Sequence, residues 1–302
     1  MSSNEVRMNS AHRHYFYSGL HICSEWAIDQ WAAFEKPDSA TPDLSIRYAE
    51  PDFQCRATDY IHELPKIGRF VLREGREIVV IREGDFTQRQ LNLYLTASVW
   101  GGFCYQRGLH LLHGSAIRLK GQSFAFSGHS GAGKSTLAAI LARRGYETIS
   151  DDTCRIEAFD NRIWLYPSSR RFKLWGESLR ALGWDLDFLE QETPEFDKFQ
   201  IPMPGNAIVD RQPLRAAYLI GWGDLEIQRL IGAEALQAFL ESATYWPEFL
   251  APLGRTQAFV QSAIQVVSLV PIFKLTRPRD LTAMDGTIDL LERHWEDEFP
   301  QA

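Results

Sequence analysis

A glycine-rich run at residues 128–136 constrains the fold of this chain more than any other segment. It has the pattern Gly, four residues, Gly, Lys, Ser, and comprises Gly128, His129, Ser130, Gly131, Ala132, Gly133, Lys134, Ser135 and Thr136. Glycines let a backbone wrap closely around an anion, so that successive N–H groups point at phosphate oxygens. In such loops the lysine reaches the β- and γ-phosphates, and the serine hydroxyl coordinates Mg²⁺. The run therefore predicts a phosphate-binding loop that takes ATP and Mg²⁺, with a chance glycine-rich turn as the alternative.

The residues on either side of the run support this prediction. Residues 122–127 (QSFAFS) alternate and are rich in aromatics, which predicts a strand. Residues 134–144 (KSTLAAILARR) predict a helix that is closed by Gly145. The order strand, glycine loop, helix is the context in which a phosphate-binding loop occurs.

Composition sets the outer limits. The chain has 302 residues, of which 45% are hydrophobic and 24% charged, as in a globular protein with a substantial core. The net charge of −7 gives no basic field for nucleic acid. No apolar run approaches the roughly 18 residues of a membrane span, and the N-terminal residues lack a signal-peptide core. The four cysteines form no CxxC pair, which favours free thiols in the cytoplasm over structural zinc.

Patterning along the chain predicts an α/β protein with an additional β-rich part. We predict an N-terminal β-rich domain over residues 1–86, a connecting helical segment over 87–109 and a nucleotide-binding domain over 110–302. Predicted strands cover residues 14–22, 44–48, 69–73, 77–81, 111–119, 122–127, 146–149, 153–158 and 163–166. A helix is predicted over residues 87–106, with Thr87 as its N-cap. The acidic, proline-containing segment 186–205 is interpreted as a loop or lid.

Two acidic residues follow the predicted strand 146–149. We expect this strand to return beside the strand that leads into the glycine loop, after a right-handed crossover. Chemistry collects at the carboxyl ends of parallel strands, so Asp151 and Asp152 should face the phosphates. A carboxylate there can accept a proton, hold Mg²⁺ or orient a water, although aspartate also caps turns. Upstream, alternation puts His113 on one strand face with Ser115 and Ile117, where a packed histidine is the simpler interpretation.

Together these motifs resemble the catalytic domain of HPr kinase/phosphorylase. The resemblance rests on His113-Gly114, on the glycine loop and on Asp151-Asp152. It implies a P-loop kinase core of the HPr kinase C-terminal-domain type. It also implies that Asp151 is the general base on an acceptor serine, that His113 tunes or positions it, and that Asp152 assists with metal or geometry.

The chain also departs from that family. His129 stands where the family's loop has aspartate, and residues 168–177 (SSRRFKLWGE) lack the signature associated with the phosphorylase reaction. This leaves Glu177 as a weak candidate for the second metal ligand beside Ser135 and Asp152. The whole chain is more similar to the HPr-kinase-related proteins encoded beside ribosomal peptide clusters, including lasso-peptide precursor kinases. The pieces that carry this second resemblance are residues 19–25, 112–116, 171–175 and 270–280.

Basic residues follow the predicted hairpin 153–166. Arg170, Arg171 and Lys173 can bind phosphate or the terminal carboxylate of a peptide, or form a solvated positive face. Arg277 and Arg279 have the same two interpretations.

The sequence therefore predicts an ATP- and Mg²⁺-dependent serine kinase acting on the C-terminal serine of a precursor peptide. Bifunctional HPr kinase/phosphorylase activity and a nucleotide-driven ATPase switch are the alternatives. HPr kinases form hexamers, and a homo-oligomer stays open for this chain.

Overall fold

The structure is a computed structural model that describes residues 12–37, 41–84, 86–193, 196–205 and 208–300. It is a mixed α/β chain that divides into two compact units, Met1–Phe103 and Cys104–Ala302.

The first unit is built on a mixed sheet. Its strands are β1 (Arg13–Tyr17), β2 (Leu20–Ser24), β3 (Leu44–Ala49), β4 (Tyr60–Leu64), β5 (Gly68–Arg73) and β6 (Glu77–Arg82), in the order β1-β2-β3-β6-β5-β4. The prediction of one strand over residues 14–22 was wrong, because Ser18 and Gly19 adopt φ of 52° and 75° and turn the chain into a hairpin. The hairpin predicted from residues 69–73 and 77–81 is confirmed as β5 and β6. Strand β4 was not predicted.

The predicted helix over residues 87–106 is confirmed with one irregularity. It consists of α1 (Gln88–Tyr94), a π-helical turn (Leu95–Val99) and α2 (Trp100–Gln106), and the boundary between the units falls within α2. Thr87 and Gln90 form a capping box at its start. A short 3₁₀ helix, Asp29–Phe34, places Trp31 in an aromatic cluster with Tyr17.

The second unit contains the glycine loop. Its strands are β7 (His110–Leu119), β8 (Gln122–Ser127), β9 (Glu147–Ser150), β10 (Thr153–Phe159), β11 (Arg162–Tyr166), β12 (Arg171–Trp175), β13 (Glu190–Thr193), β14 (Phe196–Pro202), β15 (Gln212–Trp222), β16 (Glu226–Leu230) and β17 (Ile272–Arg277). Its helices are α3 (Lys134–Arg143), α4 (Gly176–Ala181), α5 (Gly232–Ala243), α6 (Thr256–Leu269) and α7 (Met284–Glu298), with 3₁₀ turns at Pro247–Phe249 and Leu281–Ala283.

The main sheet of this unit has the order β11-β10-β7-β8-β15-β17-β16, and β9 also pairs with β7. Strand β8 runs parallel to β15, which in turn runs parallel to β17. The expectation that β9 lies beside β8 was wrong, because β7 forms a tight hairpin with β8 and occupies that edge. Since β9 is antiparallel to β7, it still runs in the same direction as β8. The carboxyl ends of these strands therefore meet at one edge of the sheet.

Helices cover both faces of this sheet. Phe124 and Phe126 of β8 pack in a core with α3 and α7, whereas the intervening Ala125 belongs to the core under α5 and α6. The period-two alternation of β8 sends aromatic side chains to one face and a small side chain to the other. Strand β8 is thereby buried on both sides and fixes the start of the glycine loop.

The segment predicted as a loop or lid, residues 186–205, instead contains β13 and β14; residues 194 and 195 of it lie outside the described residues. These strands form a small sheet with β12 in the order β12-β14-β13. Phe199 and Ile201 pack with Phe172 and Leu174 of β12 against Ala138 of α3. This apolar contact outweighs the acidic, proline-containing composition that suggested a loop.

Candidate active site

The glycine loop joins β8 to α3 through backbone conformations that favour glycine. Gly128, Gly131 and Gly133 have φ of 151°, 81° and 85°, which L side chains adopt only with strain. A Cβ on Gly128 would lie 2.6 Å from the carbonyl oxygen of Ile220 on β15. The loop thus packs against the neighbouring parallel strand and delivers Lys134 as the first residue of α3.

Lys134 folds back onto the loop. Its Nζ donates to the carbonyl oxygens of Gly128 at 2.8 Å and His129 at 3.0 Å, and the residue is buried. Burial lowers the pKa of Lys134 to about 8, and Asp151 and Asp152 oppose that shift. The ammonium is therefore charged at pH 7.

Asp151 is fully buried beneath the loop. Its Oδ1 accepts a hydrogen bond of 2.5 Å from the Ser115 hydroxyl, and its Oδ2 accepts one of 2.9 Å from the backbone N–H of Lys173. Burial raises the pKa of Asp151, although these hydrogen bonds partly offset the shift. Both oxygens thus hold β7 and β12 in place.

Asp152 points elsewhere because its backbone is left-handed, with φ of 72°. Its carbonyl oxygen accepts from the Gly114 N–H, while its carboxylate Oδ2 lies 2.9 Å from Lys173 Nζ. Burial alone would raise the pKa of Asp152, but Lys173 and Lys198 outweigh it and hold the pKa well below its usual range. Lys173 therefore fixes both aspartates, one through its backbone and the other through its ammonium.

His113 lies on β7 two residues before Ser115, and Thr153 pairs with it across the sheet. Its ring meets the ring of Tyr245 edge-on at 5.7 Å. Burial lowers the pKa of His113 to about 4, and Lys134 adds to this effect. The imidazole is consequently neutral at pH 7. The adjacent Gly114 has no room for a side chain, because a Cβ there would lie 2.5 Å from the Phe126 carbonyl oxygen.

Most of these groups line one cleft of about 420 Å³, a volume within the usual range of ligand pockets. The described residues that line it include Ser130, Gly131, Gly133, Lys134, Ser135, Thr136, His113, Asp152, Lys173, Trp175, Glu177, Lys198, Trp222, Arg277, Arg279 and Asp280. Cations outnumber carboxylates in this lining, although the whole chain is acidic. The cleft therefore suits an anionic ligand.

Six residues predicted for the site stand outside the cleft lining: Gly128, His129, Ala132, Asp151, Arg170 and Arg171. Arg170 is buried and donates to the backbone carbonyls of residues 148, 204 and 205, which makes it a structural tie. Arg171 pairs with Glu190 and Gln200 on the small sheet. Of the basic trio only Lys173 lines the cleft. Asp151 also lies behind the lining rather than in it.

Sequence reasoning missed several contributors, including Ser115, Lys198 and Trp222. The sequence predicted that Ser115 shares a strand face with His113. Its hydrogen bond to Asp151 depends on the pairing of β7 with β9, which no local pattern predicts. Lys198 was hidden in the segment interpreted as a loop. Its position on β14, opposite Trp175 of β12, brings it into the cleft.

The oxygen ligands available for a metal are few. Within the described parts of the chain, no group of three or more His, Cys, Asp or Glu side chains is arranged to hold a metal ion. Ser135, Asp152 and Glu177 nevertheless line one cleft. Hard oxygen donors in this number fit Mg²⁺, which is usually held by one or two carboxylates together with substrate phosphates.

No family model matches the chain, and no curated protein matches it. Among solved structures, the HPr(Ser) kinase/phosphatase from Coxiella burnetii aligns over 63% of this chain and 99% of its own, with a TM-score of 0.34 and 11% identity. The chain is thus distantly similar in structure to that enzyme. None of the helices in the described residues is long and apolar enough to span a bilayer.

Proposed function

We propose that this protein is an ATP-dependent kinase that phosphorylates a serine hydroxyl on a peptide. The observation that carries the proposal is a single cleft in which the glycine loop, Lys134 and Ser135 face His113 and Asp152. Phosphoryl transfer needs little covalent chemistry from a protein, because positioning and charge stabilisation supply most of the rate. This cleft offers both kinds of contribution.

The donor side is the glycine loop and the start of α3. The left-handed glycines turn backbone N–H groups toward an anion, and the positive end of α3 adds to the attraction. Lys134 exchanges its two carbonyl partners for phosphate oxygens when ATP binds. Ser135, Asp152 and Glu177 would hold Mg²⁺, which neutralises charge on the phosphates when bound.

The acceptor side is formed by Asp152 and its neighbours. The serine oxygen attacks the γ-phosphorus, the bond from that phosphorus to the bridging oxygen breaks, and ADP leaves. The hydroxyl proton passes to Asp152, the carboxylate that lines the cleft. Asp151, to which the family resemblance assigned this role, instead accepts hydrogen bonds from Ser115 of β7 and from the backbone of β12. Neutral His113 lines the cleft beside them and positions the acceptor.

The acceptor we propose is the C-terminal serine of a precursor peptide of the lasso type. A chain end enters a cleft more easily than a mid-chain segment, and its carboxylate needs a cation. Lys198 fits this role, since its ammonium lies 3.7 Å from its carboxylate partner Glu192, whereas Lys173 is held by Asp152 at 2.9 Å.

We expect the enzyme to phosphorylate a peptide with a free C-terminal serine and to lose at least about tenfold in kcat/KM when that peptide is amidated. Mass spectrometry after incubation with ATP and Mg²⁺ locates the phosphate on the last residue. Lys198→Ala should abolish the discrimination, whereas Arg171→Ala, outside the cleft, should preserve it. Equal phosphorylation of the amidated peptide would remove the carboxylate role. Phosphate on HPr alone would favour carbon regulation, and ATP hydrolysis without any acceptor would favour a switch.

The pKa of Lys134 gives the nucleotide affinity a pH dependence. Phosphate binding favours the ammonium form, so at pH values below about 8 the free protein is already charged and binding requires no protonation. Above about pH 8 binding must protonate Lys134, and the affinity should fall by up to about tenfold per pH unit. Titration of ATP at pH 7, 8 and 9 at constant ionic strength measures this slope. Lys134→Arg stays charged throughout and should flatten it; an equal slope in both proteins would contradict the assignment.

A further inference from the structure

Arg277 is a buried cation that the proposed chemistry has not used. It ends β17, is 1% exposed and lines the cleft beside the glycine loop. Among the described residues no carboxylate lies within ion-pair distance of its guanidinium. Its Nη1 and Nη2 make long contacts, 3.3 Å and 3.4 Å, with the carbonyl oxygens of Pro278 and Ala132. Its Nε has no hydrogen-bond partner. A buried charge in this state costs free energy unless a ligand completes its bonding.

The glycine loop is shaped to admit this side chain. A Cβ on Gly133 would lie 2.1 Å from Arg277 Nη2, so the guanidinium occupies the space that a side chain at position 133 would fill. Trp222, at the end of the neighbouring β15, supports the guanidinium from the side, with its ring centroid 4.4 Å from Cζ. Glycine at position 133 therefore serves two purposes: it allows the left-handed backbone, and it leaves space for the Arg277 guanidinium.

Two buried cations, Lys134 and Arg277, contact opposite ends of the glycine loop. Lys134 Nζ is bonded to the carbonyls of Gly128 and His129 at the start of the loop, whereas Arg277 contacts the carbonyl of Ala132 at its end. Burial lowers the pKa of Arg277 to about 10, which leaves it charged at pH 7. An anion held by the loop's N–H groups between these cations would meet positive charge from both sides.

We propose that Arg277, at the carboxyl end of β17, is a ligand of the phosphate chain of the bound nucleotide and acts there as a second cation beside Lys134. This inference rests on the proposed function, because it assumes that the loop binds a nucleoside triphosphate. The planar guanidinium has free donors that match phosphate oxygens bidentately, and Trp222 keeps it in that orientation.

The test measures binding of ATP, inorganic tripolyphosphate and adenosine by calorimetry, without any acceptor. Arg277→Gln should weaken ATP and tripolyphosphate by about tenfold or more and leave adenosine unchanged. Arg277→Lys keeps the charge but loses the two-pronged donor geometry of the guanidinium. Its affinities for ATP and tripolyphosphate should lie between those of the wild type and of Arg277→Gln. Arg155→Gln is the matched control, because Arg155 is also buried over an aromatic ring, Tyr166, but pairs with Glu157. It should bind all three ligands as the wild type does.

The outcomes separate this inference from the proposed function. Thermal melting of each variant identifies lost binding that comes from unfolding, and the lysine variant then decides the question. Wild-type affinities in a folded Arg277 variant would overturn the phosphate role while leaving the kinase proposal intact. A loss confined to adenosine would overturn it as well and would assign the Trp222 side to the base. A wild-type protein that binds neither ATP nor tripolyphosphate would overturn both.

Discussion

Lys134→Ala should reduce phosphoryl transfer by about 10²–10³-fold, because the charge that develops on the transferred group loses its closest compensating cation. The Lys134 ammonium is buried, bonded only to loop carbonyls in the described structure, and sits in the cleft that contains Ser135 and Asp152. The loss should therefore exceed that of any surface lysine.

Initial rates with ATP, Mg²⁺ and a serine peptide measure this effect. Lys274→Ala provides the control, because Lys274 is exposed on β17 and lies outside the cleft lining. The melting temperature of both variants must match the wild type for the comparison to hold. Near-full activity in a folded Lys134→Ala protein would show that the glycine loop does not bind the transferred phosphate.

The local part of the site could be predicted from the sequence. The strand before the loop, the glycines and the helix after it lie within 25 residues, so alternation, turn chemistry and helical pattern all act on neighbours in the chain. The predicted hairpin of β5 and β6 was found for the same reason. Local rules fail where contacts with residues distant in the sequence decide whether a segment forms a strand or a loop. The small sheet of β12, β13 and β14 is an example. Its strand β14 is held by Phe199 and Ile201 against β12 and α3, contacts that no pattern within residues 186–205 reveals.

Long-range packing also explains why the environments of the cationic residues could not be predicted from the sequence. Arg170, Arg171 and Lys173 are close in sequence, yet the structure sends them to three environments. Arg171 and Lys173 share one face of β12 and diverge only because β13 and β14 lie beside them, whereas Arg170 precedes the strand and turns inward. Arg277 reaches the glycine loop because β17 lies two strands from β8 in the sheet. Strand order is a long-range property, and no local pattern in the chain predicts it.

The roles of the two aspartates are the sharpest prediction of the geometry. The pKa values favour Asp151 as the proton acceptor, whereas the positions of the two carboxylates favour Asp152. The raised pKa of Asp151 suits a proton acceptor, whereas the lowered pKa of Asp152 makes it a weaker base. Position decides in favour of Asp152, because a base must reach the hydroxyl that it serves. Asp151 is buried, and both of its oxygens already accept hydrogen bonds from Ser115 and from the backbone of Lys173.

Asp152→Asn should therefore lower kcat at saturating ATP and Mg²⁺ by about 10²–10⁴-fold. Asp151→Asn should mainly lower the stability of the fold. The amide N–H₂ of asparagine would face one of the two groups that now donate hydrogen bonds to the carboxylate. We expect the stability of that variant to fall by about 1–3 kcal/mol. Single-turnover rates at saturating ATP, measured beside denaturant unfolding of each variant, separate the two effects. A stable Asp151→Asn protein without transfer activity, next to an Asp152→Asn protein that transfers normally, would return the base to Asp151. In that case the buried carboxylate would have to open toward the cleft during the reaction.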